Sequence, residues 1–188
     1  KHNPEFTQLE FYWAYADYLK VMELTEEMMA YVLDKIFGTR KLTYNGVEID
    51  FNPPWKRVNL RQSLIDSSDI DINLYPTAEG LEEVMASKGL KFKPGEARGK
   101  LIGQLLEEFV EPTLIQPTFL YDYPRDISPL AKNAPGDPST VERFEGFVCG
   151  MELCNAFTEL NDPLEQEKRF LEMGREYKAD DEERHPMD

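Results

Sequence analysis

The sequence predicts an α+β fold in which an antiparallel sheet is flanked by helices. One observation is the hairpin signal KLTYNGVEIDF, in which Asn45-Gly46 separates two short alternating runs. A second is the pair of strand-like segments ERFEGFVCG and MELCNAFTEL, which meet near Gly150. A third is a set of amphipathic stretches with helical spacing. Of the 188 residues, 41% are hydrophobic, which is enough for one domain with a core.

The composition argues against two classes of protein. The formal net charge is -15, from 21 Lys and Arg against 36 Asp and Glu, so this chain by itself should bind nucleic acid poorly and suits a cationic ligand or a divalent metal. No apolar run reaches about 18 residues, so no membrane span is predicted.

Two cysteines, Cys149 and Cys154, do not form a disulfide framework, and we expect free thiols in a reducing cytoplasm. Because the first residue is Lys1, we expect a piece of a longer polypeptide.

The first segment, FTQLEFYWAYADY, has the aromatic content of a strand. Period two would place four residues on one face, namely Phe6, Gln8, Glu10 and Tyr12. A ring, an amide, a carboxylate and a phenol have the composition of a ligand-facing wall. The alternative is an edge strand with one solvated face.

Helices are predicted to follow. The first runs from about residue 17 to 37 and stops at Gly38, with an apolar stripe of Leu24, Met28, Tyr31, Val32 and Ile36. After the hairpin, PPW breaks the sheet. Three further helices are predicted at about 60–66, 78–88 and 97–111, the second capped by Thr77 and the third ended by Pro112.

The second half predicts strands and one more helix. TLIQPTFLYDYP reads as a strand in which Pro117 favours an edge or a bulge. DISPLAKNAPGDPS is a long loop of the kind that often forms a lid, and its Lys132 either reaches a ligand phosphate or is solvated. Asp162 caps the last helix, and Pro163 takes its first position.

Carboxylates within apolar surroundings mark the candidate site. Glu145 and Glu152 are seven residues apart, and across a hairpin they would converge. Two converging carboxylates without a nearby His or Cys suit a hard cation such as Mg²⁺, which prefers oxygen ligands. The alternative is a pair of solvent-facing glutamates.

In a regular strand, Asn155 and Glu159 would point to the same face, because they are four residues apart. Glu152 would point to the opposite face. A common cleft therefore needs a bulge between Glu152 and Asn155. Glu159 would then face the same space as Glu10 and Tyr12, which would hold an alkylammonium group. The sequence has no phosphate-binding glycine motif, no G-x-S-x-G and only two His, so a nucleophilic triad is unsupported.

Three segments together resemble the class II lysyl-tRNA synthetases of the bacterial and eukaryotic type, namely HNPEFTQLEFYWAYADY, SPLAK and FEGFVCGMELCNAFTELNDP. The resemblance covers essentially all 188 residues. It implies an antiparallel class II catalytic sheet, activation of L-lysine by ATP and Mg²⁺ as lysyl-adenylate, and transfer to tRNA(Lys). It also implies a cytoplasmic homodimer, with no membrane partner.

The same resemblance implies a role for each candidate residue. His2 and Asn3 would lie near the ATP phosphates, and Phe6 would stack on adenine. The carboxylates that hold magnesium would be Glu145 and Glu152. The lysine pocket would comprise Glu10, Tyr12, Asn155 near the substrate carboxylate and Glu159 at its ε-ammonium.

The sequence also departs from the family pattern. Residues 1–188 would begin inside the second family motif and end before the third, without the anticodon-binding domain, so we expect an incomplete catalytic domain that is inactive alone. Two other hypotheses stay open. One is a paralogue that attaches lysine to a protein such as elongation factor P, and the other is a non-catalytic interaction fragment.

Overall fold

The computed structural model describes residues 5–176 as five helices and seven strands, joined by short 3₁₀ turns and loops. The helices are α1 Tyr18–Phe37, α2 Leu60–Ser68, α3 Ala78–Ser87, α4 Arg98–Leu105 and α5 Pro163–Glu176. The strands are β1 Lys41–Tyr44, β2 Val47–Asp50, β3 Lys56–Asn59, β4 Thr118–Pro124, β5 Asn133–Ala134, β6 Asp137–Val148 and β7 Met151–Phe157. None of the helices in these residues is both long and apolar enough to cross a membrane.

Strand β6 is the centre of a five-stranded sheet. It pairs antiparallel with β4 along one edge and with both β5 and β7 along the other. The remaining strand, β3, is parallel to β4, and β1 and β2 form a separate hairpin. The predicted α+β class with an antiparallel sheet flanked by helices is confirmed.

Each face of the sheet carries its own apolar core, because alternate residues point to opposite faces. On one face, Leu120 and Phe147 pack with residues of α2, α3 and α4. On the other face, Phe119 and Phe144 pack with α1 and the β1–β2 hairpin. The central strands β4 and β6 are therefore covered on both faces along much of their length, whereas β7 is largely exposed.

Local signals in the sequence set the ends of several elements as predicted. Asp17 caps α1 by accepting a hydrogen bond from the Lys20 N–H, and Gly38 ends the helix at a φ of 67°. Asn45 and Gly46 both have positive φ, 47° and 80°, as the predicted hairpin turn requires. The helix predicted at about 97–111 is α4, which continues as a π-helical turn Leu106–Val110 and a 3₁₀ turn Glu111–Thr113.

The strand predicted at the start of the chain is wrong for this structure. Residues 5–16 form no strand and pair with no described strand, so they lack a ladder of backbone hydrogen bonds. Phe6 and Tyr12 are 72% and 85% exposed, and the common cleft predicted for Phe6, Glu10 and Tyr12 stays a prediction. Alternation alone does not make a strand, because its N–H and C=O groups need a partner strand.

The apolar stripe predicted for α1 is also wrong. Tyr31 and Ile36 are exposed, and the buried face includes Met22, Leu33 and the polar residue Glu26. Glu26 is tolerated in the core because it accepts hydrogen bonds from the Trp55 N–H and the Arg57 guanidinium. Apolar periodicity could not identify a helix face that contains a buried carboxylate.

Gly146 in β6 provides the first prediction. A Cβ at this position would lie 2.6 Å from Cys154 Sγ and 3.4 Å from the Phe119 ring. We expect Gly146→Ala to lower the free energy of unfolding by about 1–3 kcal/mol, the usual cost of overpacking. Urea unfolding measures the change.

Gly103 in α4 is the matched control, since a Cβ there meets nothing within 4 Å. Gly103→Ala should stabilise by about 0.5–1 kcal/mol, as expected within a helix. Adding Cys154→Ala to Gly146→Ala should recover part of the loss. An unchanged stability in Gly146→Ala would contradict the steric explanation.

Candidate site on the β6–β7 hairpin

A β-bulge shapes the β6–β7 hairpin. Glu145 lies opposite Asn155, and Phe147 lies opposite Glu152, so β7 has one extra residue, Leu153. The predicted irregularity between Glu152 and Asn155 is thereby confirmed. Residues directly opposite each other project from the same face of a sheet. The bulge therefore returns Glu152 to the face that carries Glu145 and Asn155.

Arg143 joins the two central residues of this face. Its Nε donates to Asn155 Oδ1 at 3.1 Å, and its Nη2 forms an ion pair with Glu145 Oε1. The side chains of Arg143 and Glu145 are only 16% and 14% exposed. Charge-assisted hydrogen bonds in such a partly desolvated place are stronger than those between neutral groups.

The rest of the Arg143 guanidinium is also engaged. Nη1 donates to the Ile127 carbonyl at 2.8 Å and to Ser128 Oγ at 2.6 Å. The guanidinium lies 4.7 Å from the centre of the Tyr123 ring, in a cation–π contact. Burial raises the pKa of Tyr123, and the charge of Glu145 raises it further, so the phenol stays protonated. Arg143 is thus held on several sides.

Negative charge accumulates around Glu152. Partial burial of the carboxyl raises the pKa of Glu152, the Glu145 charge raises it further and Arg143 lowers it, although the residue as a whole is exposed to solvent. Burial also raises the pKa of Glu111, followed by the charges of Glu107, Glu145 and Glu152. Among the side chains of residues 5–172, neither Glu111 nor Glu152 has an ion-pair partner. This group of carboxylates therefore has more negative charge than Arg143 alone offsets.

The carboxylates of this site suit a metal ion that takes its remaining ligands from water and from a bound phosphate group. No group of three or more His, Cys, Asp or Glu in the described part of the chain is placed to hold an ion by itself. Mg²⁺ typically binds through one or two carboxylates and completes its coordination with water and phosphate oxygens. Glu145 and Glu152 fit that pattern, since Glu145 Oε2 makes no hydrogen bond to a described residue.

No described contact tests the predicted contacts to lysine and adenine. Glu159 is exposed and forms a single antiparallel bridge with Ala131. Within residues 5–176, no hydrogen bond joins Glu159 to Glu10 or Tyr12. Their shared pocket stays a prediction, as does the adenine role of Phe6. His2 and Asn3 lie outside the described residues.

The loop before β6 is anchored by its backbone. The Lys132 N–H donates to the Thr158 carbonyl at 2.8 Å, and the Lys132 carbonyl accepts from the Glu142 N–H. The Lys132 side chain is exposed, and a role as a lid stays a prediction. Cys149 and Cys154 are free thiols, as expected. Burial is the main cause that raises the pKa of Cys154 to about 11, so this thiol is a poor nucleophile near neutral pH.

Sequence reasoning missed Arg143, Tyr123 and Glu111. Arg143 precedes Glu145 by two residues, so strand parity alone places both on one face. The spacing of Glu107 and Glu111 places both on one side of a helix, but nothing local shows that this helix meets the hairpin. The contact with Tyr123 depends on the pairing of β4 with β6.

Comparisons with known proteins agree on one group. All of residues 1–188 match the family model described as tRNA synthetases class II (D, K and N). The chain is 50% identical over 188 residues to a lysine–tRNA ligase of Moorella thermoacetica and 48% identical over 187 residues to one of Chloroflexus aurantiacus. A third, from Thermoanaerobacter pseudethanolicus, is 47% identical over 188 residues. Each match covers 100% of this chain, which spans about 38% of the length of these curated relatives.

Glu111 provides the second prediction. A carboxyl whose pKa is raised on folding binds its proton more tightly in the folded state, so folding stability falls as pH rises above the unfolded value of about 4.3. Glu111→Gln removes this loss. We expect the free energy of unfolding at pH 7 to rise by about 0.2–1 kcal/mol, the range for partly exposed charge pairs.

Unfolding in urea at pH 7 and at about pH 3, below both pKa values, measures this effect. The gain should vanish at the lower pH. Glu108→Gln, at an exposed position in the preceding π-helical turn, is the control and should change stability by less than about 0.5 kcal/mol at either pH. An equal gain at both pH values for Glu111→Gln would contradict the electrostatic explanation.

Proposed function

The chain belongs to the class II tRNA synthetases of the D, K and N group, and from this premise we propose that the complete protein is a lysine–tRNA ligase. The observation that carries the proposal is the 47–50% identity to lysine–tRNA ligases along the whole chain. In the proposed reaction, the lysine carboxylate attacks the α-phosphate of ATP and displaces pyrophosphate to give lysyl-adenylate, and the 3′ end of tRNA(Lys) then takes the lysyl group with release of AMP. The chain contributes part of the catalytic domain.

The proposed chemistry needs positioning and neutralisation of charge more than proton transfer. Glu145 and Glu152 would hold Mg²⁺, which supplies positive charge at the ATP phosphates when it is bound. Their crowding with Glu111 supports this role, since the uncompensated negative charge of the group favours a cation. Phe6 would stack on adenine, with His2 and Asn3 near the phosphates.

Lysine recognition would depend on charges at its two ends. Asn155 would contact the amino acid near its carboxylate, and Glu159 would pair with the ε-ammonium, with Glu10 and Tyr12 lining the pocket. An uncharged side chain in this pocket would leave carboxylates unpaired, which gives strong discrimination. Assembly as a homodimer in the cytoplasm is proposed on the family resemblance.

Lysine-dependent exchange of pyrophosphate into ATP by the complete protein tests the activation step. Charging of tRNA(Lys) and of elongation factor P, assayed in parallel, tests the acceptor. Exchange followed by tRNA charging would support the proposal, and transfer only to the protein acceptor would instead favour the paralogue. A complete protein that binds neither ATP nor lysine would favour an interaction module.

Glu152 provides a prediction for the complete protein. Glu152→Gln should lower kcat for lysine-dependent exchange more than it weakens lysine binding, because the metal would act mainly on the phosphates. Glu167→Gln, at an exposed position on α5, is a control that should leave both quantities unchanged. Equal losses of kcat and lysine affinity would count against a metal role for Glu152.

Glu159 provides a prediction on specificity. Glu159→Gln keeps the shape of the side chain and removes its charge, so lysine binding should weaken by about 2–5 kcal/mol, the usual cost of losing a charge pair that the bound ligand would bury. This corresponds to roughly 30-fold to several thousand-fold in affinity. The exchange rates with lysine and with norleucine, compared for wild type and mutant, measure the discrimination. Unchanged specificity would remove Glu159 from the pocket.

A further inference from the structure

We propose that Arg143 is a positioning residue that sets the orientation of the Asn155 amide toward the α-carboxylate of the amino-acid substrate. Because the substrate contact of Asn155 belongs to the proposed function, the inference rests on that function. Arg143 itself would not touch the substrate. It would act through the hydrogen bond from its Nε to Asn155 Oδ1, which is 3.1 Å long.

The chemistry of the two groups fixes the orientation of the amide. A guanidinium has N–H donors and no acceptor, so only the amide oxygen of Asn155 can face it. The Asn155 NH₂ group must then point away from Arg143. Within residues 5–176, no group accepts a hydrogen bond from that NH₂. Asn155 is therefore held as a free donor, and a carboxylate is the substrate group that such a donor matches.

The environment of Arg143 explains why a guanidinium is suited to this task. One planar group reaches Asn155, Glu145, the Ile127 carbonyl and Ser128 Oγ at the same time. A lysine ammonium is a single centre on a flexible stem and cannot reproduce this fork. The partners fix the plane of the guanidinium, and the guanidinium in turn fixes the amide of Asn155.

The loop that holds Arg143 is itself anchored from α5. Arg169 is 2% exposed and donates to the Pro129 carbonyl at 3.0 Å, to the Ala131 carbonyl at 2.7 Å and to Asn133 Oδ1 at 2.8 Å. These bonds fix the backbone that directly follows Ser128. Two sets of hydrogen bonds, joined by the peptide bond between Ser128 and Pro129, thus link α5 to the amide of Asn155.

The test compares lysine with 1,5-diaminopentane, which keeps the ammonium chain and lacks the carboxylate. The complete protein carrying Arg143→Lys keeps the positive charge beside Glu145 and loses the fork. We expect the KM for lysine in the exchange assay to rise about 10–100-fold, as is typical when a group that orients a ligand-binding residue is lost. The inhibition constant of the diamine should stay within about twofold of wild type, since it has no group for Asn155 to contact.

Two further variants make the outcome specific. Arg57→Lys is the matched control, because Arg57 also forms an ion pair on the sheet, with Glu26 at 3.3 Å, on the strand β3. This variant should change neither the KM for lysine nor the inhibition constant of the diamine. Asn155→Ala should raise the KM for lysine strongly in the wild-type background and only slightly in the Arg143→Lys background, because the two residues act as one unit.

The results separate the proposed function from the positioning role. If the wild-type protein neither binds nor activates lysine, the proposed function fails and the role of Arg143 fails with it. If lysine is activated but Arg143→Lys affects lysine and the diamine equally, or affects neither, only the positioning role is overturned. Should Arg143→Lys not fold, Ser128→Ala decides, because it removes one support of the guanidinium and should weaken lysine alone.

Discussion

Strand β6 is the element on which the rest of the structure depends, because it is hydrogen-bonded along both edges and buried on both faces. Its even-numbered residues, such as Phe144, face α1 and the β1–β2 hairpin, while Phe147 faces the core built with α2, α3 and α4. A shift of its pairing register by one residue would turn each of its side chains to the opposite face of the sheet and disrupt both apolar cores. Arg143 and Glu145 lie on the same strand, so the packing that fixes the fold also fixes the candidate site.

The neighbouring strand β7 departs from regular pairing where function would need it. The extra residue Leu153 lets Glu152 and Asn155 project toward one face despite their opposite parity. Gly146 lies opposite the bulged segment and has no side chain. The Cys154 sulfur occupies the space that a Cβ at Gly146 would take. The irregular hairpin is therefore supported by tight packing beneath it, and the polar residues above it are held by that support.

The charges of the site are arranged unequally. Arg143 is bound to Glu145 and Asn155, whereas Glu111 and Glu152 have no ion-pair partner among the side chains of residues 5–172. Together these features leave an ordered amide donor beside an excess of negative charge. Such a surface suits a ligand that offers a carboxylate at one point and a cation at another, which is consistent with an amino acid and a metal-bound nucleotide as proposed.

The sequence by itself determined what depends on local chemistry: the Asn45-Gly46 turn, the helix end at Gly38, the Thr77 cap, the β6–β7 hairpin and the need for a bulge before Asn155. It also supported the family, since each of the three matching segments is an unbroken run of residues. Only the tertiary structure decided which face of α1 is buried, that residues 5–16 form no strand, and that Tyr123, Glu111 and Arg143 meet around Glu145. Those outcomes depend on partners far apart in the chain. The periodicity of a segment indicates which of its residues could be buried or could pair in a sheet. The tertiary structure determines whether another element lies in position to cover or to pair with them.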